Sequence, residues 1–123
     1  MFYTFRQNNS GGYFEVNDSV KHYVIIEADN AEEANNIAEE KTDIYFNGVD
    51  KDMDCECCGD RWYEQDESDG TDTPMIFGVD VFKYKDDLPI FKPEYIVYYK
   101  DGHTVTGKCY KGYRDLWKQY TNK

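Results

Sequence analysis

Three cysteines lie within four positions of the chain, in the run Asp54-Cys55-Glu56-Cys57-Cys58-Gly59-Asp60-Arg61-Trp62. Cys55 and Cys58, followed by Gly59, give the C-x2-C-G spacing that lets two thiolates and the backbone turn around a tetrahedral Zn²⁺. A complete site needs two more ligands. Cys57 could supply one of them, although adjacent residues in a tight turn tend to point apart. The spacing therefore raises the hypothesis of a structural zinc site.

The fourth ligand has to come from a distant part of the chain. His103 and Cys109 are six residues apart, roughly 20 Å along an extended strand at ~3.3 Å per residue, so both cannot serve one ion unless the strand bends. A lone C-x2-C is a weak signal, and no second knuckle is present. We favour ordinary packed thiols with no cofactor and keep zinc on Cys55, Cys57, Cys58 and Cys109 as the alternative.

Nucleophilic and redox roles for these cysteines are less favoured. Neighbouring acids are expected to raise the thiol pKa values, and Arg61 alone is a poor counterweight. A disulfide between cysteines this close would be strained. Reduced thiols, as found in a cytosol, fit better. The acids concerned are Asp52, Asp54, Glu56 and Asp60.

Other catalytic patterns are absent from the sequence. It contains no G-x-S-x-G, no P-loop and no H-E-x-x-H. His22 and His103 have no local Ser or Cys motif, so both are expected to be surface histidines. The alternating acids Asp50, Asp52 and Asp54 lack the glycine and oxygen-ligand spacing of an EF-hand. We therefore predict that the protein is not an enzyme.

The charge of the chain is strongly polarised. Its 123 residues include 25 acidic and 14 basic ones, a net charge of −11. Residues 27–72 contain 17 acidic and 3 basic residues, which is −14, whereas residues 100–123 contain 6 basic and 2 acidic ones, which is +4. General nucleic-acid binding is disfavoured, because that binding depends on Lys and Arg that neutralise phosphates.

Length and apolar patterning predict a single soluble domain. A chain of this length is typical of one domain, which we take as residues 1–123 with an acidic, Cys-containing insert at about 42–73. The longest apolar runs, Tyr23–Ile26 and Tyr95–Tyr99, are far shorter than the ~20 residues that span a bilayer. No apolar signal core of ~7 to 15 residues follows Met1. A cytoplasmic protein without membrane contact is expected.

The first half of the chain predicts a hairpin, a strand and a helix. Aromatic-rich residues 2–7 and 12–16 flank an Asn-Asn-Ser-Gly-Gly turn, which indicates a β-hairpin. The β-branched run His22–Ala28 predicts a buried central strand. Ala31–Lys41 predicts a helix with Asn30 as N-cap and Glu33 at the capping-box position. Its Ala34, Ile37, Ala38 and Lys41 share one face, which suits packing on a sheet.

The second half predicts further strands and a terminal helix. Residues 75–84 are expected to form a strand, and Tyr95–Lys100 and His103–Thr106 a hairpin around Asp101-Gly102. Residues 113–120 predict a short amphipathic helix. The fold class is therefore α+β: a mainly antiparallel sheet of hairpins, one or two helices packed on one face, and an acidic loop-rich insert at an edge or end.

Three segments resemble a family of short, uncharacterised acidic proteins of tailed bacteriophages. They are the start, of the form FYTFxQNNSGGYF, the strand and helix over residues 23–38, and the DCxCCGxRW motif at residues 54–62. The resemblance covers about the first half of the chain. It implies a context only: small acidic accessory proteins of such phages often bind host or defence proteins.

The leading functional hypothesis is a protein that binds and inhibits a host or anti-phage defence protein with a basic surface. Its −14 segment would steer the encounter, and Arg, Trp and Tyr side chains would anchor the contact. The alternative that Trp62 and Tyr63 belong to the core stays open. The candidate partner-binding residues are Asp50, Asp52, Asp54, Glu56, Asp60, Arg61, Trp62 and Tyr63.

Two further hypotheses use the same features differently. A DNA mimic would occupy the nucleic-acid groove of an enzyme with its carboxylates. A sponge for a nucleotide signal would stack a base on aromatic side chains near the basic end and hold its phosphate on a cation. The residues for that pocket are Tyr98, Tyr99, Tyr110, Tyr113 and Lys108 or Arg114. The sequence does not predict the oligomeric state.

Overall fold

The computed structural model describes residues 1–76, 78–83 and 94–108 of the chain. Within them lie a four-stranded sheet, a two-stranded ribbon and an α-helix. The strands of the sheet are β1, β2, β5 and β6, and the ribbon is β3 with β4. Their bounds are β1 Phe2–Arg6, β2 Tyr23–Glu27, α1 Ala31–Lys41, β3 Met75–Ile76, β4 Val79–Asp80, β5 Glu94–Tyr98 and β6 Thr104–Lys108.

The four-stranded sheet is mixed, with strand order β1-β2-β5-β6. β2 pairs antiparallel with β1 and parallel with β5, and β5 pairs antiparallel with β6. The predicted central position of the first β-branched strand is confirmed, as is the hairpin that turns at Asp101-Gly102. The protein thus has a small α+β fold.

The predicted hairpin of residues 2–7 with 12–16 is wrong. β1 pairs with β2, and Ser10–Gly12 forms a 3₁₀ turn instead of a hairpin loop. The buried Gln7 amide explains the difference, because its side chain occupies the N–H and the carbonyl of Glu15. Pairing of residues 2–7 with 12–16 would need those backbone groups. Its Oε1 accepts from Glu15 N at 2.6 Å, and its Nε2 donates to the carbonyls of Glu15 and Lys21 at 2.9 and 3.0 Å.

Both faces of the central strand are buried. Val24 and Ile26 lie in a core with the alanines of α1, and Tyr23 and Ile25 lie in a second core on the opposite face with Ile76. A strand buried on both sides needs a continuous apolar run rather than alternation, which is what β2 has.

Helix α1 has the predicted N-cap at Asn30, whereas Glu33 bonds to the N–H one residue before the N-cap and does not close the predicted capping box. Asn30 Oδ1 accepts from Glu33 N at 2.8 Å, and Glu33 Oε1 accepts from Asp29 N at 3.3 Å. Ala34 and Ala38 are fully buried, whereas Lys41 is exposed. The buried stripe is therefore made of small side chains, which bring the helix close to the sheet.

Residues 42–73 form no strand or α-helix, yet they do not simply decorate an edge. Ile44, Phe46 and Trp62 are buried in the same core as α1. Thr71 also forms an isolated antiparallel bridge with Phe2 at the outer edge of β1. The acidic segment therefore contributes to the core with its apolar residues.

The prediction of one strand over residues 75–84 is wrong in its described part. The chain turns back at Gly78, whose φ of 78° is in the left-handed region, so β3 and β4 form a short antiparallel ribbon. Cys109 and the predicted helix over 113–120 lie outside the described residues. No helix among the described residues is long and apolar enough to cross a membrane.

Candidate functional site

A buried arginine joins the cysteine segment to the N-terminal turn. Arg61 is 2% exposed. One guanidinium nitrogen donates to Gln7 Oε1 at 3.0 Å and to the Tyr13 carbonyl at 2.8 Å, and the other donates to the Ser10 carbonyl at 2.7 Å. The planar fork of Arg is suited to such a set of fixed acceptors. Arg61 thereby holds residues 7–13 in place.

Two carboxylates balance the buried positive charge of Arg61. Its Nε lies 3.8 Å from Asp54 Oδ1 and 3.8 Å from Glu15 Oε1. The Tyr13 ring covers the guanidinium, with its centroid 4.6 Å from Cζ. A buried cation needs such partners, because an uncompensated charge in the interior is costly.

The expectation that Arg61 and Trp62 are exposed partner contacts is wrong. Trp62 is 0% exposed and Arg61 almost as buried, because both fill the space between the N-terminal turn and α1's side of the core. Tyr63 is 54% exposed. Of these three consecutive residues, Tyr63 alone exposes its side chain to solvent.

Asp54 is also an interior residue, which corrects its expected role at a partner surface. Its side chain has no exposed area, and it accepts from Tyr45 Oη at 2.6 Å and from Arg61 N at 2.8 Å. Burial, followed by the hydrogen bond to Asp54, raises the pKa of Tyr45 to about 12. Gly48 packs directly on Asp54, since a Cβ there would lie 1.9 Å from Asp54 Oδ2.

The remaining acids of the segment divide into two groups. Asp60 Oδ1 accepts from Val49 N at 2.9 Å and so stabilises the loop. Asp50, Asp52 and Glu56 are exposed. Those three, with Tyr63, are the candidate partner-binding residues that remain accessible.

The three described cysteines converge at the surface. Their sulfur atoms all lie within 4.8 Å of one another. Cys55 Sγ is 2.8 Å from Cys57 Sγ, and Cys57 Sγ is 3.9 Å from Cys58 Sγ. Cys55 is partly buried, while Cys57 and Cys58 are exposed, so the favoured expectation of packed thiols is wrong for those two residues. Such a group of thiols can take up a thiophilic metal ion.

A tight turn holds the cysteines together. The backbone N–H groups of Cys58 and Gly59 donate to the Cys55 carbonyl at 3.2 and 3.0 Å. Gly59 has a φ of 85°, which favours glycine at this position. Asn8 Nδ2 donates to the Cys58 carbonyl at 2.7 Å, and Cys55 N donates to Ser10 Oγ at 2.9 Å. The turn is thus anchored at both ends to residues 8–10.

The thiols do not share one acidity. Hydrogen bonds, first from the Cys57 thiol and then from backbone N–H groups of Cys58 and Cys57, lower the pKa of Cys55 to about 7. The hydrogen bonds of Cys57 with Cys55 and Cys58 raise the pKa of Cys57 to about 11. The expectation that nearby acids raise every thiol pKa is therefore wrong for Cys55, since close donors outweigh solvent-screened carboxylates.

A second feature is an acidic groove of about 390 Å³ between α1 and the following segment. Four carboxylate side chains line it, together with Ala31, Gln65 and two asparagines. They are Glu32, Glu64, Asp66 and Glu67. Of the 17 acids in residues 27–72, 13 are exposed, and the four that line the groove are among them.

The walls of the acidic groove are joined by hydrogen bonds. Asn35 Nδ2 donates to the Gln65 carbonyl at 3.1 Å, and Asn35 Oδ1 accepts from Gln65 N at 2.9 Å. Glu67 Oε1 accepts from Ala31 N at 2.7 Å, and its Oε2 accepts from Tyr3 Oη at 3.3 Å. The groove therefore has a built framework, a feature that spacing in the sequence did not reveal.

A larger concavity of about 590 Å³ lies beside β1. Its lining mixes one cation, Arg6, one acid, Asp69, and the rings of Tyr23 and Tyr63 with amides and apolar groups. This mixed lining does not favour one ligand class.

The predicted nucleotide pocket is only partly within the described residues. Tyr98 donates to the Ser19 carbonyl, and the Tyr99 ring stacks on His103 at 4.2 Å between centroids. Tyr110, Tyr113 and Arg114 lie outside the described residues, as does the side chain of Lys108. The two described tyrosines thus have protein partners.

Of the two histidines, His103 is exposed and His22 is half-buried. His22 Nδ1 accepts from Glu94 N at 3.0 Å, and its ring lies 4.7 Å from that of Phe14. Burial lowers the pKa of His22, against a smaller opposing effect of the Glu94 carboxylate. His22 is therefore a structural link between the starts of β2 and β5, not a free surface histidine.

No curated protein and no solved structure matches the chain. The model of one family, described as a domain of unknown function (DUF7296), matches residues 1–114. Because the match covers most of its length, the chain belongs to the DUF7296 family.

Proposed function

We propose that the chain is a phage accessory protein without enzymatic activity that binds and inhibits a host or anti-phage defence protein in the bacterial cytoplasm. The partner carries a basic surface, and the acidic groove between α1 and residues 64–67 receives one of its Arg or Lys side chains. The resemblance to small acidic phage proteins supports the biological context. The acidic groove supports the mode of binding.

The observation that carries the proposal is the arrangement of carboxylates around a fixed concavity. Four acidic side chains line about 390 Å³, and hydrogen bonds from Asn35, Ala31 and Tyr3 hold its walls. A preformed groove of this kind costs little ordering when a partner binds. Acids on the surrounding surface raise the rate of encounter with a basic protein.

A DNA mimic is the second candidate, because part of the acidity lies on a rigid helix. Glu32, Glu33, Glu39 and Glu40 occupy α1. They span about 12 Å at ~1.5 Å per residue. Duplex DNA carries about seven charges over that length at ~1.7 Å per charge. The helix thus has roughly half the charge density of DNA. We therefore favour an acidic groove that receives a basic side chain over a mimic of duplex DNA.

The test compares two charge-matched double variants. Glu32→Gln with Glu64→Gln neutralises two acids of the groove, and Asp50→Asn with Asp52→Asn neutralises two acids of the exposed loop. All four side chains are exposed. Wild type and the two variants are each immobilised and exposed to bacterial lysate, and the proteins that they capture are identified. The affinity of wild type and of each variant for a captured protein is then measured at rising NaCl concentration.

We expect the groove variant to bind its partner at least about tenfold more weakly, a loss of roughly 1.4 kcal/mol. The loop variant should keep most of its affinity, and added salt should weaken the wild-type complex. Equal affinity of all three proteins would contradict the groove as the binding site. Loss in the loop variant alone would move the contact to residues 50–52. A complex that does not respond to salt would contradict both the acidic-groove contact and DNA mimicry.

A further inference from the structure

We propose that Cys55, Cys57 and Cys58 form a three-thiolate site for a thiophilic divalent cation, Zn²⁺ above all, whose fourth coordination position is open to solvent. The site is distinct from the acidic groove and does not depend on it. It differs from a closed four-ligand zinc knuckle, in which every coordination position belongs to the chain.

The distances between the sulfur atoms support the site. At a Zn–S distance of ~2.3 Å, the sulfurs of a tetrahedral site are about 3.8 Å apart. Cys57 Sγ and Cys58 Sγ are 3.9 Å apart, and all three sulfurs lie within 4.8 Å. Cys55 Sγ and Cys57 Sγ, at 2.8 Å, have to separate by about 1 Å. The exposed side chain of Cys57 can make that movement by rotation.

The backbone around the cysteines is already ordered for coordination. Cys58 N and Gly59 N both close on the Cys55 carbonyl, while Asn8 and Ser10 anchor the two ends of the turn. Ser10 in turn is held by buried Arg61. Because these hydrogen bonds fix the backbone of the turn, metal binding costs little additional ordering.

The surroundings of the thiols favour a cation and leave it accessible. Asp52 and Glu56 are exposed near the turn, and their charge attracts a divalent ion. Cys57 and Cys58 are exposed, so an ion bound by the three sulfurs keeps one side toward solvent. Among the described residues, no fourth Cys, His, Asp or Glu joins the three sulfurs.

The experiment measures metal binding by the full chain, purified under reducing conditions without a metal-binding tag. Zinc content is determined by mass spectrometry, and Co²⁺ is titrated as a spectroscopic probe of thiolate coordination. The variants are Cys57→Ser and Cys58→Ser, both at exposed positions, with Cys109→Ser as the matched control. Circular dichroism establishes that each variant is folded.

We expect one ion per chain, a Co²⁺–thiolate absorption band, and full retention of both in Cys109→Ser. Cys57→Ser and Cys58→Ser should each weaken metal binding by at least about 100-fold. Loss of a residue that only supports a metal ligand weakens binding by about 10- to 100-fold, and loss of a ligand itself should cost at least as much. Asn8→Ala, which removes such a contact, should weaken it by roughly tenfold.

Three results would overturn the proposal. They are the absence of zinc and cobalt binding, unchanged binding after loss of Cys57 and Cys58 together, and loss of binding in Cys109→Ser equal to that in Cys57→Ser. The last result would establish a closed four-thiolate site. None of the three affects the partner-capture experiment, whose variants leave every cysteine in place.

Discussion

At the scale of single residues, Arg61 connects parts of the chain that are far apart in sequence. Its guanidinium binds two carbonyls and one amide oxygen of residues 7–13, and its backbone N–H binds Asp54. The carboxylates of Asp54 and Glu15 lie 3.8 Å from its Nε. Removal of the cation would leave buried acceptors and a buried carboxylate without their partner.

We therefore predict that Arg61→Met lowers the free energy of unfolding by roughly 3–5 kcal/mol, the usual cost of breaking a buried ion pair. Urea denaturation followed by circular dichroism measures the change. Lys51→Met, at an exposed position, removes the same charge and should stay within about 0.5 kcal/mol of wild type. Equal stability of the two variants would show that the Arg61 network contributes little.

The roles of Arg61 and Trp62 were beyond prediction from the sequence for a physical reason. Arg and Trp dominate interface hot spots, but they also fill buried networks when acceptors surround them. The acceptors of Arg61 come from residues about 50 positions away, such as Ser10 and Gln7. No local sequence pattern predicts hydrogen-bond partners that are so far away in the chain. The cysteines are close in sequence, but the convergence of all three thiols was not predicted, because adjacent residues in a tight turn tend to point apart.

At the scale of elements, the cysteine turn depends on how closely the loop before it packs. Gly48 accepts hydrogen bonds from Met53 N and Asp54 N through its carbonyl, at 2.8 and 3.1 Å. A Cβ at this position would lie 1.9 Å from Asp54 Oδ2 and 2.7 Å from Tyr45 Cε2. Asp54 cannot move away without breaking its bonds to Tyr45 and Arg61.

Gly48→Ala should accordingly destabilise the protein by about 1–3 kcal/mol, the range for overpacking a filled interior. Thermal and urea unfolding give the value. Gly12→Ala is the comparison, because nothing lies within 4 Å of its Cβ and its cost comes from a φ of 84° alone. If Gly48→Ala proved as stable as wild type, the close packing of Asp54 on this turn would be disproved.

The elements that depend on neighbouring residues were predicted well, and those that depend on distant pairing were not. Helix α1 carries its own cap, and the β5–β6 hairpin carries its own turn. The pairing of β1 with β2 depends on Gln7, whose side chain binds Glu15 and Lys21. The parallel pairing of β2 with β5 joins residues about 70 positions apart, and strand order of this kind leaves no local signal.

At the scale of the whole molecule, the acidic charge and the core share the same stretch of chain. Residues 27–72 carry the −14, yet Ile44, Phe46 and Trp62 from that stretch are buried. The fold therefore separates charge from apolar groups residue by residue rather than segment by segment. That separation leaves 13 of the 17 carboxylates of residues 27–72 exposed and explains why an acidic segment can still be part of a folded core.

The stability of the whole molecule should depend on pH through the link between β2 and β5. His22 Nδ1 accepts a hydrogen bond from Glu94 N, and a protonated ring cannot accept it. Burial lowers the pKa of His22 below the unfolded value of 6.5. The unfolded chain therefore binds the proton first, and stability that is complete above pH 6.5 is lost as the pH falls toward the folded pKa.

We predict that the free energy of unfolding decreases between about pH 7 and pH 5, where carboxylates with ordinary pKa values of ~4 remain mostly ionised. His22→Asn, which places an amide oxygen near the position of Nδ1, should remove most of this decrease. His103→Asn, at an exposed histidine, should retain it. Urea unfolding of the three proteins at half-unit pH steps measures the effect. A decrease of equal size in wild type and His22→Asn would place the pH-sensitive group elsewhere.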